Sequence, residues 1–316
     1  MNTVDSLIAK SNLSGFKIIK TDYISEKQQI VILKVKQNSE LFIEILDIKN
    51  DLIKEISLNE KIYVRPYERI EFHSIDNNNF YLGCDSWHFI INCDGKVVLK
   101  KQLDNELGYL NNTHLLKNYI FREDLTLIDL KDFKEYNLTD FFDENFDEYD
   151  FTFFYFEGRY GLYSSSDNNI LTISIYCKDR EDPKVLHCVL KINSFENIDI
   201  LLAEKIDQLG CYYTLSENLH ELAYETYFTD DEYWYIREIS EENFKRSTSF
   251  VTDKNTKLIF FNDENYILLY DEKIELRNRH ENNLLKSIAI DHESSYKLAK
   301  NILFYIKDSK LNYIEF

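Results

Sequence analysis

The sequence predicts an all-β protein assembled from repeated four-strand units. Three observations carry this. Apolar and polar residues alternate in short runs rich in Ile, Val and Phe. The runs recur in sets of four at a spacing of roughly 40 to 50 residues. Hydrophobic residues make up 44% of the 316 and aromatic ones 15%, which is enough for a packed core and too much for a disordered chain.

The first set holds Gln29 to Lys36, Leu41 to Ile48 and Leu52 to Leu58, separated by polar turns. The second is Arg69 to Ile75, Phe80 to Cys84, Trp87 to Asn92 and Val97 to Leu103. Its Asp94-Gly95 step is the strongest hairpin signal in the chain. The third is Leu115 to Asn118, Tyr119 to Arg122, Leu125 to Leu130 and Lys134 to Leu138. The fourth runs through Phe151 to Phe156, Gly161 to Ser165, Ile170 to Cys177 and Val185 to Ile192. The fifth uses Cys211 to Leu215, Glu221 to Tyr227, Tyr233 to Ile239 and the flanks of Phe250 and Val251. The sixth is Lys257 to Phe261, Tyr266 to Tyr270, Lys273 to Arg277 and Leu284 to Ile290. The last has three strands, Tyr296 to Ala299, Ile302 to Ile306 and Leu311 to Phe316.

Such a period is the signature of a single β-propeller of six or seven four-stranded blades spanning residues 1–316. The ring is closed by N- and C-terminal strands, with Val4 to Ile8 or Phe16 to Ile19 supplying the fourth strand of the last blade, because an open ring leaves strand edges unpaired. With only 7 Gly and 2 Pro, the turns fall to Asn and Asp, as at Asp76 to Asn79, Asn111 and Asn112, and Asp167 to Asn169. One segment breaks the pattern. Ile198, Leu201, Leu202, Lys205 and Ile206 have helical spacing behind Ser194, which predicts a short helical insertion at 195–208. The repeat resembles the WD40-like propeller superfamily over nearly the whole chain. The resemblance lies in strand spacing, since the Gly-His and Trp-Asp dipeptides, Kelch double glycines and Asp-box sequences are absent. It implies a rigid disc with a central channel and two loop-bearing faces that bind proteins or ligands.

Charge narrows the function. Lys and Arg total 37 against 56 Asp and Glu, a net −19. That repels the phosphate backbone of nucleic acid and an anionic membrane surface, and it steers a basic partner inward. No run of about 18 apolar residues could span a membrane, and the first dozen residues lack a basic start with an apolar run. Five Cys (Cys84, Cys93, Cys177, Cys188, Cys211) are an odd number in a chain with an adequate core, so they are expected as free thiols in a cytoplasmic protein. Cys84 and Cys93 could face each other across a hairpin.

Motifs for chemistry are missing. The seven His show no metal-ligand spacing, and no Cys-x-x-Cys, Ca²⁺ loop, phosphate-binding glycine loop or Gly-x-Ser-x-Gly elbow occurs. No cofactor, metal or enzymatic activity is expected. Paired carboxylates are too abundant to inform, but a channel-mouth pair among aromatics would suit a glycosidase.

Two segments stand out. Asn137 to Asp150 carries six acids, Asp140, Asp143, Glu144, Asp147, Glu148 and Asp150, and no base, among Phe141, Phe142, Phe146 and Tyr149. It is either an interblade connection with its rings packed inward or an acidic lip with Phe142 and Phe146 as anchors for a partner. Asp230, Asp231 and Glu232 precede Tyr233, Trp234 and Tyr235 and offer a second acidic loop. The reading is a non-catalytic protein-binding propeller directed at a basic protein, of the kind an immunity or inhibitor protein neutralising a toxin would be, monomeric or part of a hetero-complex. The alternatives are a carbohydrate-binding or glycoside-hydrolysing propeller and a structural subunit of a larger complex.

Overall fold

The computed structural model describes residues 3–63, 70–84, 87–102, 113–122, 124–146, 149–155, 169–177, 185–206, 210–216, 221–226, 232–238, 246–252, 256–270, 272–290, 296–299 and 301–316. The chain divides into two compact units, the first of Met1–Asn111, Asp129–Lys134 and Glu293–Phe316, the second of Asn112–Ile128 and Glu135–His292.

Unit 1 opens with helix α1 (Thr3–Leu13) and the sheet β1 (Lys17–Ile24), β2 (Gln29–Val35), β3 (Leu41–Asp47) and β4 (Leu52–Ser57). A second sheet follows, β5 (Ile70–Ser74), β6 (Asn79–Cys84), β7 (Trp87–Asn92) and β8 (Val97–Gln102). Both are antiparallel with strands in sequence order. The middle strands are buried on both faces, while β4 and β8 are largely exposed, as outer edges should be. Alternate residues serve two cores. Val31, Leu33, Ile43 and Ile45 meet Phe72, Phe80, Leu82 and Ile91 of the second sheet. The opposite face, with Ile30, Ile32 and Leu46, meets α1 and the C-terminal strands. At the β7–β8 turn Gly95 sits at φ 82° and a Cβ there would lie 2.3 Å from the Ser57 carbonyl, so both the turn and the packing demand glycine.

Unit 2 contains β9 (Thr113–Leu115), β10 (Tyr119–Arg122), β11 (Thr126–Asp129) and β12 (Glu135–Asn137), then helix α2 (Thr139–Asn145). The tip of the β11–β12 hairpin belongs to unit 1. The next sheet is β13 (Tyr149–Tyr155), β14 (Ile170–Cys177), β15 (Val185–Ser194) and β16 (Asn197–Ile206). These two sheets and α2 share one core containing Phe121, Leu127, Phe142, Leu171, Cys188 and Ile192. A further sheet is β17 (Gly210–Leu215), β18 (Glu221–Thr226), β19 (Glu232–Glu238) and β20 (Arg246–Thr252). It packs through Ala223 and Ile236 on the sheet β21 (Lys257–Phe260), β22 (Asn265–Leu269), β23 (Lys273–Asn278) and β24 (Leu284–Ala289). Arg279 fastens the pair by an ion pair to Glu221, while its guanidinium lies 4.6 Å over the Phe260 ring.

Two expectations are corrected. The helical insertion expected at 195–208 is not formed by its described part: residues 195–206 turn at Phe195–Glu196 and continue as β16, the fourth strand of its sheet. A bulge between Val189 and Leu190 is the reason. Leu190 pairs with Ile200 and Val189 with Leu202, so Leu201 is an extra residue, and the interrupted alternation mimics helical spacing. The strand expected at Gly161 to Ser165 lies outside the described residues.

The second correction concerns the last sheet, β25 (Tyr296–Ala299), β26 (Ile302–Lys307) and β27 (Lys310–Glu315), which belongs to unit 1 and has three strands. The N-terminal segment does not add a fourth. Val4, Leu7, Ile8 and Ser11 are buried at helical spacing on α1, and Lys17 to Ile19 belong to β1. The helix takes the strand's place. The Asn12 amide donates to the Leu311 carbonyl at 2.8 Å and accepts from its N–H at 3.0 Å, as a neighbouring strand's peptide would. Ile18 N–H also donates to the Ser309 carbonyl at 3.1 Å.

Cys84, Cys93 and Cys188 are free thiols, and the side chains of Cys177 and Cys211 lie outside the description. Cys84 and Cys93 sit at opposite ends of the β6–β7 hairpin and do not face each other. The Asp76 to Asn79 turn is built by the Asp76 carboxylate, which accepts from the N–H groups of Asn78 and Asn79. No helix is long and apolar enough to cross a membrane among the described residues.

Candidate functional site

The acidic segment at residue 137 is a helix rather than an open lip. The Asn137 side chain accepts from Thr139 N–H at 2.7 Å in the turn that precedes α2. Phe142 and Phe146, four residues apart, share the inward face. Phe142 is 0% exposed and Phe146 5%, and both belong to the core between the third and fourth sheets. Phe142 meets Phe121 at 6.2 Å, Phe146 at 5.9 Å and Phe141 edge-on at 5.3 Å. Of the two alternatives, these two rings follow the inward-packed one and are not exposed anchors. The outer face shows Asp140, Asp143 and Glu144, all exposed and none paired with a base among the described residues. Asp140 in the first turn also suits the helix dipole. Asp147, Glu148, Asp230 and Asp231 lie outside the described residues, and Glu232 opens β19 with its side chain outside the description.

The division of charge strengthens the picture. Unit 1 holds 21 of the 56 acids and 20 of the 37 bases; unit 2 holds the remaining 35 and 17. Nearly all of the −19 thus resides on unit 2.

Sequence reasoning missed an aromatic pair beside this helix. Phe195, at the β15–β16 turn, stacks on Tyr136 of β12 with centroids 3.9 Å apart and planes 10° from parallel. The misread helix at 195–208 concealed the turn that brings Phe195 forward.

Unit 1 contains the polar groups that a small-ligand site would use, but they are committed to one another. Asp22 of β1 accepts from Ser74 N–H of β5 at 2.7 Å and from the Ser74 hydroxyl, and pairs with Lys297 of β25 at 3.0 Å. Burial raises the Asp22 carboxyl, yet the Lys297 charge and the Ser74 bonds outweigh it and hold it below the ordinary value. Asp22 thus stays ionised, the wrong state for a general acid. Among the described residues no group of three or more His, Cys, Asp and Glu could hold a metal.

A second buried cluster lies in the second sheet. The Tyr81 hydroxyl is 2.7 Å from His88 Nδ1, Phe133 closes edge-on at 6.3 Å, and His73 lies 5.3 Å from the Tyr81 ring. Gly83 leaves room for the hydroxyl, since a Cβ there would lie 2.6 Å from it. Burial, and then the Lys101 charge, push His88 down to about 4. The folded state therefore binds fewer protons than the unfolded one between about pH 6.5 and 4. The stability linked to His88 is fully present above pH 6.5 and disappears as pH falls to 4, a change of about 3 kcal/mol. Denaturation midpoints across that range should fall in the native protein and fall less in His88→Gln.

No protein-family model matches the chain, and no curated protein matches it significantly in sequence. Solved structures do resemble it. The Dos1 propeller aligns with TM-score 0.52 and 11% identity over 92% of this chain and 78% of that one. A chain of the mitotic checkpoint complex aligns with TM-score 0.57 and 9% identity over 94% and 86%. Sqt1 of Saccharomyces cerevisiae gives TM-score 0.53 and 10% identity over 94% and 84%. At such identities the likeness concerns the fold alone. Together with the seven antiparallel sheets among the described residues, six of them four-stranded, it shows that this chain has a β-propeller fold.

Proposed function

We propose that the chain is a non-catalytic propeller that binds a basic protein through unit 2. The observation that supports this best is the outer face of α2, where Asp140, Asp143 and Glu144 stand exposed and pair with no base among the described residues, on the unit that carries nearly all the net charge. Exposed acids of this kind accelerate encounter with a cationic surface and contribute little to folding. A cytoplasmic setting fits the free thiols, and neutralisation of a basic toxin fits the charge. One structural neighbour is a chain in the mitotic checkpoint complex, which is consistent with propellers serving as assembly modules.

The test is kinetic. Association with a basic partner should slow several-fold between low and physiological salt, while dissociation changes less. Asp140→Asn, Asp143→Asn and Glu144→Gln together should slow association without moving the melting temperature. An unchanged association rate in that triple variant, or recovery of a neutral sugar as the only ligand, would overturn the proposal.

A further inference from the structure

We infer that the Tyr136–Phe195 stack and the adjoining outer end of β16 form the anchoring surface of unit 2, and that its occupant is a polypeptide segment presenting an apolar or aromatic side chain flanked by Lys or Arg. The inference rests on the proposed function and replaces the anchors that the core has absorbed.

Four observations carry it. First, Phe195 is 39% exposed although it lies flat on Tyr136 at 3.9 Å. Stacking holds the ring in one position before any partner arrives, so little rotamer freedom is left to lose on binding. Second, the ring sits on a two-residue turn between strands of ten residues each, a rigid support. Third, the surface beside it is apolar. Ile198 pairs across the ladder with Ile192, and Ile200 with Leu190, so both isoleucines lie on the face that carries the shared core. Yet Ile200 is 40% exposed and Ile198 only partly buried. Lys191 and Asp199, which pair with each other in register, lie on the reverse face, away from Ile198 and Ile200. Fourth, the rim is acidic. Glu196 follows Phe195 in the turn and is exposed, and α2, whose outer face carries Asp140, Asp143 and Glu144, begins three residues after Tyr136 and packs Phe141 on the same core as Ile198.

An aromatic anchor with aliphatic neighbours inside a ring of like charge is the arrangement in which interface energy concentrates at the centre while the rim sets the sign of the partner. Charge complementarity selects the basic segment over a second copy of this chain, because two copies would bring two acidic rims together.

The probe is a fluorescein-labelled peptide with a Leu-Trp centre between two pairs of Lys, titrated with the full chain and read by anisotropy. A companion peptide carries Glu in place of every Lys. The Lys peptide should bind and the Glu peptide should not. Phe195→Ser should weaken the Lys peptide at least tenfold while the chain stays folded, its melting temperature lowered only by the loss of one partly exposed stack. Phe195→Tyr should restore binding to within a few-fold. Equal binding by the native chain and Phe195→Ser, with a loss confined to the α2 charge variant, would overturn this inference and leave the proposed function standing. Absence of binding by the Lys peptide to the native chain overturns both. Binding of both peptides alike removes the charge argument. Sedimentation showing a dimer that Phe195→Ser dissolves would make the occupant a second copy and also overturn the inference.

Discussion

Phe142→Ala is expected to cost about 3 to 5 kcal/mol of folding stability, because a fully buried ring would leave a cavity among three other aromatic rings. The measurement is a urea titration followed by circular dichroism, with Asp143→Asn as the surface control, which should move the midpoint by under about 0.5 kcal/mol. The contrast distinguishes the two faces of α2. If Phe142 were an interface anchor, the alanine variant would keep its midpoint and release its partner faster. A retained midpoint would therefore place the ring outside the core and reverse the assignment made above.

Lys34→Met is expected to be comparably damaging, at about 3 to 5 kcal/mol, because it strands a buried carboxylate. The Lys34 ammonium is fully buried beneath α1. It pairs with Glu44 at 2.7 Å and donates to the Ser11 carbonyl at 2.9 Å and the Ser14 hydroxyl at 3.1 Å, while the Ser11 hydroxyl donates to Glu44. The informative comparison is the double variant Lys34→Met, Glu44→Leu. It should recover most of the loss, since a buried ion pair exchanged for apolar residues of similar volume is near neutral, and it should retain a deficit of about 1 kcal/mol from the Ser11 groups left without partners. A single variant that unfolds at the native midpoint would mean that water reaches Glu44. Because the pair is buried, added salt should leave the difference between the variants unchanged.

The sheets were legible where both faces of a strand are buried against other sheets. The runs at Gln29 to Lys36, Phe80 to Cys84 and Tyr266 to Tyr270 give β2, β6 and β22 because Ile, Val, Leu and Phe fill those faces. Legibility failed where a local feature imitated another period. The bulge opposite Val189 adds Leu201 to an otherwise alternating strand and produces apolar spacings of three and four. Val4 to Ile8, one of the two segments offered as a closing strand, has too few apolar positions to show its period; the burial of Val4, Leu7, Ile8 and Ser11 on one face reveals the helix. The acidic segment was visible as charge, but a count of Phe residues cannot say which way they point. The four-residue spacing of Phe142 and Phe146 becomes meaningful only once the Phe142 N–H bond to the Leu138 carbonyl and the Phe146 N–H bond to the Phe142 carbonyl show that the backbone is helical. Phe195 was beyond reach, since its stacking partner lies on another sheet, 59 positions earlier in the chain.

The contact between Asn12 and Leu311 spans 299 positions. On the ribosome its two halves emerge 299 residues apart, so the first sheet must wait for this neighbour while the intervening chain is made. An extended N-terminal strand would spend that interval with an unpaired edge, open to the strands of other nascent chains. A helix meets its own backbone hydrogen bonds internally and can dock at once, because its contacts with Lys34 and Glu44 lie only 23 and 33 positions away. By the time Leu311 leaves the exit tunnel, the Asn12 amide is already in place to receive it.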